Sequence, residues 1–359
     1  MPFDINSSIA NASTLPSAFY QSPDWFERSK EAIFAKSWQF VGDVDLVKVP
    51  GAVHPFVHLD GCLDEPLVLT RDTNDQVHCL SNVCTHRGML VAESGGNERF
   101  LRCRYHGRRF GLDGCFQSMP EFEGVCNFPT AADNLAKVPF GQWGPWLFAS
   151  VNPSMSLEEM LKPVVDRLGW MPFNEFRLDA SRCRDYVVRA HWALYVDNYL
   201  EGFHIPFIHA ALNQAIDYDN YLVELLPSGV LQLAHAKSDE GIFDLPTSSP
   251  DHGQRISAYY YWLFPNLMLN FYPWGLSINV VRPVGHDRTR VSFIPYVWRE
   301  ELRGEGAGAD LDRVEREDEV VVEAVHKGLK SRFYDRGRYS VAREDSVHHF
   351  HRLIQSAFE

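Results

Sequence analysis

Hydrophobic and polar positions change period several times along the chain. From Ser22 to Trp38 the apolar residues Trp25, Phe26, Ile33, Phe34 and Trp38 recur at helical spacing between charges, which predicts a helix capped by Ser22 or Asp24. From Phe40 to about Asn152 the period shortens. Runs such as FVHL, PLVLT and QVHCL alternate with turn signals at Asp60-Gly61 and Asn74-Asp75, the pattern of a small all-β domain. A helical stretch from Ser154 to Trp170 marks a boundary. The segment from Tyr186 to Tyr199 follows, and strands return from Val223 to Trp298 in VLQLAHA, SAYYYWLF, LMLNFY, SINVVRP and RVSFIPYVW. Gly304 to Asp310 reads as a flexible loop, with Asp310 as N-cap of a helix from Leu311 to about Leu329. VHHFHRLIQSAF near the C-terminus reads as a last helix. Ile256 to Val281 carries no charge, but Pro265, Asn266, Asn270, Pro273 and Gly275 make it strands and turns rather than a membrane span.

Composition narrows the class. The chain has 359 residues, 45% hydrophobic and 23% charged, enough for a packed core in one large or two ordinary domains. A net charge of −13 argues against nucleic-acid and anionic-membrane partners. Seven cysteines, an odd number scattered over a long chain, argue against a disulfide framework and for a reducing, cytoplasmic setting. The N-terminus lacks the basic region and continuous apolar core of a signal peptide.

Candidate chemistry begins in the β-rich part. Cys84-x-His86 is followed, after 16 residues, by Cys103-x-x-His106. Two thiolates and two imidazoles can hold zinc, but zinc fingers usually pair Cys with Cys and His with His along the chain. Here each loop supplies one of each. A Rieske cluster has one iron on two Cys and the other on two His, which two such loops supply. The motif CTHRG…CRYHG resembles that of the Rieske non-haem iron oxygenases. By that resemblance Cys84 and Cys103 hold one iron of a [2Fe–2S] cluster, and His86 and His106 the other. The family often has Pro after the second Cys and Trp after HG. Arg104 and Arg108 stand there instead, which bears on the hydrogen bonding and potential of the cluster rather than on its ligands. Cys62, Cys79, Cys115, Cys126 and Cys183 read as small packing residues. His348, His349 and His351 read as packing and hydrogen-bonding groups.

A second constellation is DNYLEGFHIPFIH, from Asp197 to His209. Five residues of regular helix would leave His204 and His209 about 140° apart, so a shared metal requires an irregular turn, for which Pro206 is suited. Taken alone, the two histidines fit a packed core as well as a metal. The stretch resembles the mononuclear-iron motif of the same oxygenases, whose 2-His-1-carboxylate triad needs an acid. Leu311, Val314, Val322, Val325 and Leu329 form an apolar helical stripe that contains Asp318, while Glu315, Glu317 and Glu319 point elsewhere. The family places its carboxylate ligand in this region, so Asp318 is the third ligand and Glu317 the second choice. By the same resemblance, Glu201 stands where an acid bridges the two centres, and Asn198 matches an Asn near the iron.

The resemblance, strongest to the choline-monooxygenase-like branch of the ring-hydroxylating alpha subunits, implies an α+β chain. An N-terminal helical segment (1–39) packs on the catalytic domain, a Rieske domain (40–153) follows, and an antiparallel-sheet, helix-covered catalytic domain (154–359) carries mononuclear Fe(II). It implies a homotrimer in which electrons cross between subunits; a hexamer stays open. Electrons come from NAD(P)H through a separate reductase, with or without a ferredoxin, since the chain has no GxGxxG motif. The implied reaction uses O2 to hydroxylate or oxidatively demethylate a small quaternary amine or aromatic compound. The expected pocket draws on Phe203, Phe207, Tyr259 to Trp262, Phe264, Phe271, Tyr272 and Trp274. Two other classes fit fewer features: a Rieske electron-transfer protein, and a zinc-stabilised binding protein.

Overall fold

The structure is a computed structural model that describes residues 3–209, 222–237, 241–304 and 311–359, with side chains from 316 onward in the last stretch. Residues 305–310, including the expected cap Asp310, and the side chains of Leu311, Val314 and Glu315 lie outside the described part. The chain divides into two compact units: Ala35–Ser154, and Met1–Phe34 together with Met155–Glu359.

In the first unit the short apolar runs become short antiparallel strands. These are β1 (Gln39–Asp43), β2 (Ala52–His58), β3 (Glu65–Arg71), β4 (Val77–Ser81), β5 (Gly96–Asn97), β6 (Leu101–Arg102), β7 (Arg109–Phe110), β8 (Phe116–Ser118), β9 (Phe140–Trp143) and β10 (Trp146–Ala149). They pair in the orders β1-β10-β9, β4-β3-β2-β5 and β6-β7-β8. Alternation within β3 shares its side chains between two cores. Leu67 and Leu69 pack with Val47, Cys79 and Leu147, whereas Val68 packs with Leu80, Cys84, Cys103 and Phe110. The second of these cores holds both cysteines of the dyads.

The second unit opens with α1 (Ser17–Gln21) and α2 (Pro23–Ser29). The single helix expected from Ser22 to Trp38 is instead α2 continued by a π turn, Lys30–Phe34. The Ser29 hydroxyl donates back to the Trp25 carbonyl at 2.7 Å, an interaction that bends helices. Next come α3 (Leu157–Leu168), started by a capping box between Ser156 and Glu159, then β11 (Arg177–Leu178), β12 (Arg184–Val188) and α4 (Trp192–Tyr199). His191 caps α4 by accepting from the Ala193 N–H; burial pushes its pKa down to about 3, so the neutral ring can accept. A one-turn helix α5 (Ile205–Ile208) follows.

The sheet is built from β11, β12, β13 (Leu222–Leu226), β14 (Gly229–His235), β15 (Ile256–Leu263), β16 (Leu267–Tyr272), β17 (Gly275–Pro283) and β18 (Thr289–Val297), all antiparallel. β11 and β12 both pair with β18, and the order runs from there to β13. The central strands are buried on both faces, which is why they read as continuous apolar runs. α6 (Leu311–Gly328) and α7 (Asp345–Ala357) complete the unit. No described helix is long and apolar enough to cross a membrane.

On one face of β15, the Tyr259 hydroxyl donates to Asp251 at 2.9 Å and Tyr261 reaches the Pro163 carbonyl in α3. Asp251, 2% exposed, takes two further bonds from Arg167 at 2.6 and 2.7 Å. Burial raises the Asp251 pKa, but the bonds from Arg167 and Tyr259 outweigh it and hold the carboxyl below its usual 3.8. Its contribution to stability is therefore full above that value and is lost as pH falls through the lower folded value. Arg167→Met leaves Asp251 buried beside an apolar stem and is expected to cost about 3–5 kcal/mol. Chemical denaturation followed by tryptophan fluorescence checks this; a loss below about 1 kcal/mol would show that the pair is not what holds α3 to the sheet.

Candidate metal centres

The two Cys/His loops close in the same way. The Cys84 N–H donates to the Met89 carbonyl at 2.8 Å and the Gly88 N–H to the Cys84 carbonyl at 3.0 Å. Cys103 donates to Arg108 at 2.9 Å and Gly107 to Cys103 at 3.0 Å. Each turn needs a left-handed residue, supplied by Gly88 (φ 73°) and Gly107 (φ 79°). The thiols of Cys84 and Cys103 are buried, at 3% and 2% exposure, in one core. The imidazoles lie at the surface with Nδ1 atoms 3.2 Å apart, and Tyr105 stacks on His106. Burial, then the charges of His106, Arg87 and Arg108, lower the His86 pKa and favour the neutral ring a metal needs. The donors thus form a thiol pair and an imidazole pair. Donors around one tetrahedral zinc would lie about 3.3–3.8 Å apart. Among the described residues, the group of three or more such donors within 4.8 Å of one another is a different one, His204, His209 and Asp318. Two donor pairs fit a cluster with two irons.

In the second unit, α4 ends at Tyr199 and the chain turns through Glu201, Gly202 and Phe203. His204 and His209 flank α5, with Pro206 in its first turn. His209 leaves helical geometry (φ −110°, ψ 74°), which removes the angular divergence a regular helix would impose. The two Nε2 atoms lie 3.1 Å apart. Asp318 Oδ1 is 3.0 Å from His209 Nε2 and 3.5 Å from His204 Nε2.

Carboxylates hold both rings from behind. His204 Nδ1–H donates to Glu201 Oε1 at 2.7 Å, and the His204 backbone N–H donates to Glu201 Oε2 at 3.0 Å. His209 Nδ1–H donates to Glu317 Oε2 at 2.8 Å. Glu317 therefore does not point elsewhere, as the helical stripe implies; it touches the opposite edge of the ring that faces Asp318. Metal-binding histidines are usually held this way, by a hydrogen bond from the far nitrogen that fixes the tautomer and the ring orientation. With Nδ1 protonated, two Nε2 lone pairs and a carboxylate oxygen converge. A proton or a cation must relieve that arrangement. His209 shows the pull: burial lowers its pKa, yet Asp318 and Glu317 raise it overall.

Asn198 is half-buried in the last turn of α4. Its neighbour Asp197 joins a network that the sequence does not reveal. Asp197 accepts from the Tyr20 hydroxyl at 2.9 Å and from His351 Nε2–H at 2.8 Å, and the Tyr339 hydroxyl donates to His351 Nδ1 at 2.6 Å. This network fixes the end of α4 from which Glu201 departs. The other histidines of HHFH bond to backbone carbonyls, His348 to Asn6 and His349 to Leu226.

The expected aromatic pocket is split by the pleat. Tyr259, Tyr261 and Phe271 face α3 and Phe173, and Trp262 packs on Phe350 of α7. Phe203 and Phe207 are exposed, at 43% and 79%. Tyr272 and Trp274, stacked at 5.3 Å, pack with Tyr260 and with Ile205, the residue after His204.

Residues 170–359 match the family described as ring hydroxylating alpha subunit (catalytic domain), and residues 37–129 match the Rieske [2Fe-2S] domain. The chain belongs to the ring-hydroxylating alpha-subunit family. It is a Rieske-type oxygenase, with a [2Fe–2S] cluster in one domain and a mononuclear non-haem iron in the other. This sets aside the zinc-stabilised and electron-transfer-only alternatives. The chain is 29% identical to the chloroplastic choline monooxygenase of Arabidopsis thaliana, over 98% of this chain and 84% of that protein. It is 28% identical to the carnitine monooxygenase oxygenase subunit of Escherichia coli K12, over 100% and 97%. In fold it resembles a quaternary ammonium Rieske monooxygenase, described with carnitine oxidation and inter-subunit electron transfer, at a TM-score of 0.76–0.77 depending on the structure compared. For the latter structure the identity is 24%, and 98% of each chain is covered.

The two acids of α6 have separable outcomes. Asp318→Ala is expected to lose the mononuclear iron while the cluster's absorbance and sulfide remain. Glu317→Gln keeps an acceptor on His209 and is expected to weaken iron binding by about 10-fold or more, short of abolishing it. Metal analysis that finds iron retained in the Asp318 variant and absent in the Glu317 variant would reverse the assignment.

Proposed function

We propose that this oxygenase inserts oxygen into a small quaternary ammonium compound at an iron held by His204, His209 and Asp318. Cys84 and Cys103 hold one cluster iron, and His86 and His106 the other. The single observation that carries the catalytic assignment is the convergence of His204 Nε2, His209 Nε2 and Asp318 Oδ1, with each imidazole held by a carboxylate at its far nitrogen. Such a triad leaves coordination positions open for dioxygen, whose activation is the chemistry the iron supplies.

The residues around it have definite tasks. Glu201 fixes the His204 ring and backbone together, so it can present one face to the iron ligand and the other to an incoming electron carrier. In a homotrimer that carrier would be His106 of a neighbouring copy, whose stacked Tyr105 is also exposed. The inter-subunit transfer described for the quaternary ammonium relative supports this reading. Asn198, in the last turn of α4, would polarise or hydrogen-bond groups entering beside the iron. A reductase, with or without a ferredoxin, delivers the electrons. Seven free cysteines fit a reducing cytoplasm.

Choline and carnitine monooxygenases cover the chain nearly end to end, and both are named for quaternary ammonium compounds. Here the stacked Tyr272 and Trp274, with Tyr260, supply aromatic faces next to Ile205. Such faces attract a cation without an ion pair and exclude water from it. Oxygen uptake with stoichiometric product from a panel of choline, betaines, carnitine and small aromatic compounds tests the substrate class. Turnover of the aromatic compounds alone would overturn it.

Glu201→Gln keeps an acceptor on His204 and removes the charge. Both metal centres are expected to remain, with cluster oxidation in a single turnover slowed at least about 10-fold, the size of a lost supporting contact at a metal site. Chemically reduced protein mixed with oxygen and substrate reads this directly. Oxidation at the wild-type rate with normal product yield would show that electrons take another route.

A further inference from the structure

Arg108 follows the second cluster loop, at the place where the resembling oxygenases often have Trp. It is 2% exposed, among the largest fully buried side chains. Its guanidinium lies 4.9 Å from the Phe116 ring centre, 5.5 Å from Phe128 and 5.8 Å from Phe110. Nη2 donates to Asp133 Oδ1 at 2.6 Å and to the Asp133 carbonyl at 3.3 Å. Asp133 is pinned in turn by the Thr130 N–H at 2.7 Å. The same Asp133 carbonyl accepts from the Thr85 hydroxyl at 2.8 Å, and Thr85 lies between Cys84 and His86 in the first cluster loop. One ion pair therefore touches both cluster loops.

The two charges are unequally placed. The Arg108 side chain is 2% exposed and that of Asp133 is 19%, so water screens the carboxylate more than the guanidinium.

We propose that Arg108 is a positioning residue that holds the two cluster loops together through Asp133 and raises the reduction potential of the cluster by its buried positive charge. This rests on the reading that Cys84, His86, Cys103 and His106 hold that cluster. One electron from the reductase converts one ferric ion of the oxidised cluster to ferrous; no bond forms or breaks. The reduced cluster carries one more negative charge, which a nearby fixed cation favours. Asp133 opposes the effect, so the two partners should act with opposite sign.

Redox titration of the full-length protein, followed by electron paramagnetic resonance, tests this in three variants. Arg108→Gln is expected to lower the equilibrium constant for reduction at least about threefold, or about 30 mV for one electron. Asp133→Asn is expected to raise it, and Arg108→Lys to stay closer to wild type than Arg108→Gln. Iron and sulfide content, measured in parallel, reports loss of the clamp separately from a change in potential. Wild-type protein without a cluster would overturn the ligand reading. Intact clusters whose potentials do not move, or move in the same direction in Arg108→Gln and Asp133→Asn, would overturn the proposal while leaving the ligands in place. If Arg108→Gln does not assemble a cluster, the sign of the Asp133→Asn shift decides: upward supports the proposal, unchanged or downward overturns it.

Discussion

Two carboxylate–imidazole hydrogen bonds set the proposed catalytic site, Glu201 with His204 and Glu317 with His209. Each fixes a ring that would otherwise rotate about its side-chain torsions, and each consumes the Nδ1 proton so that Nε2 carries the lone pair. The rest of the unit serves these two bonds. α4 delivers Glu201, the irregular exit of α5 turns His209 toward His204, and α6 brings Glu317 and Asp318 on consecutive residues to opposite edges of one ring. Neighbouring residues on a helix point about 100° apart. Flanking an imidazole is one way for both to reach the same side chain.

The two units solve different physical problems. In the β unit the thiols are buried and the imidazoles are at the surface, so one end of the donor set is desolvated and the other is open to a partner. In the catalytic unit His204 and His209 flank α5 and Asp318 lies on α6, and His209 is 1% exposed. Three acids, Glu201, Glu317 and Asp318, surround two histidines there. That excess of negative charge suits a cation, whereas the first site offers two thiols and two imidazoles, donors suited to a cluster.

Local features were legible in the sequence. The Cys/His loops are short and self-contained, their closure needs only Gly88 and Gly107, and their spacing is visible without tertiary information. The strand runs and the helix at 311–328 follow from hydrophobic period. What depended on tertiary placement was not legible. The helical stripe aims Asp318 toward the core and Glu317 away from it, yet Glu317 reaches a ring 108 positions away in sequence. The Tyr20–Asp197–His351–Tyr339 network spans up to 331 positions, and nothing local marks its members as partners. The aromatic run Tyr259 to Trp262 looks like one pocket wall in sequence, but the pleat assigns alternate residues to opposite faces.

The central claim is that one chain carries two distinct iron centres, a binuclear cluster and a mononuclear iron. Quantifying iron and acid-labile sulfide in protein purified or reconstituted without oxygen tests it most directly. The account predicts about three irons and two sulfides per chain, with a Rieske-type resonance after reduction. Stoichiometric zinc with no sulfide, or two irons and two sulfides with no iron restored at His204, His209 and Asp318 by added Fe(II), would contradict it.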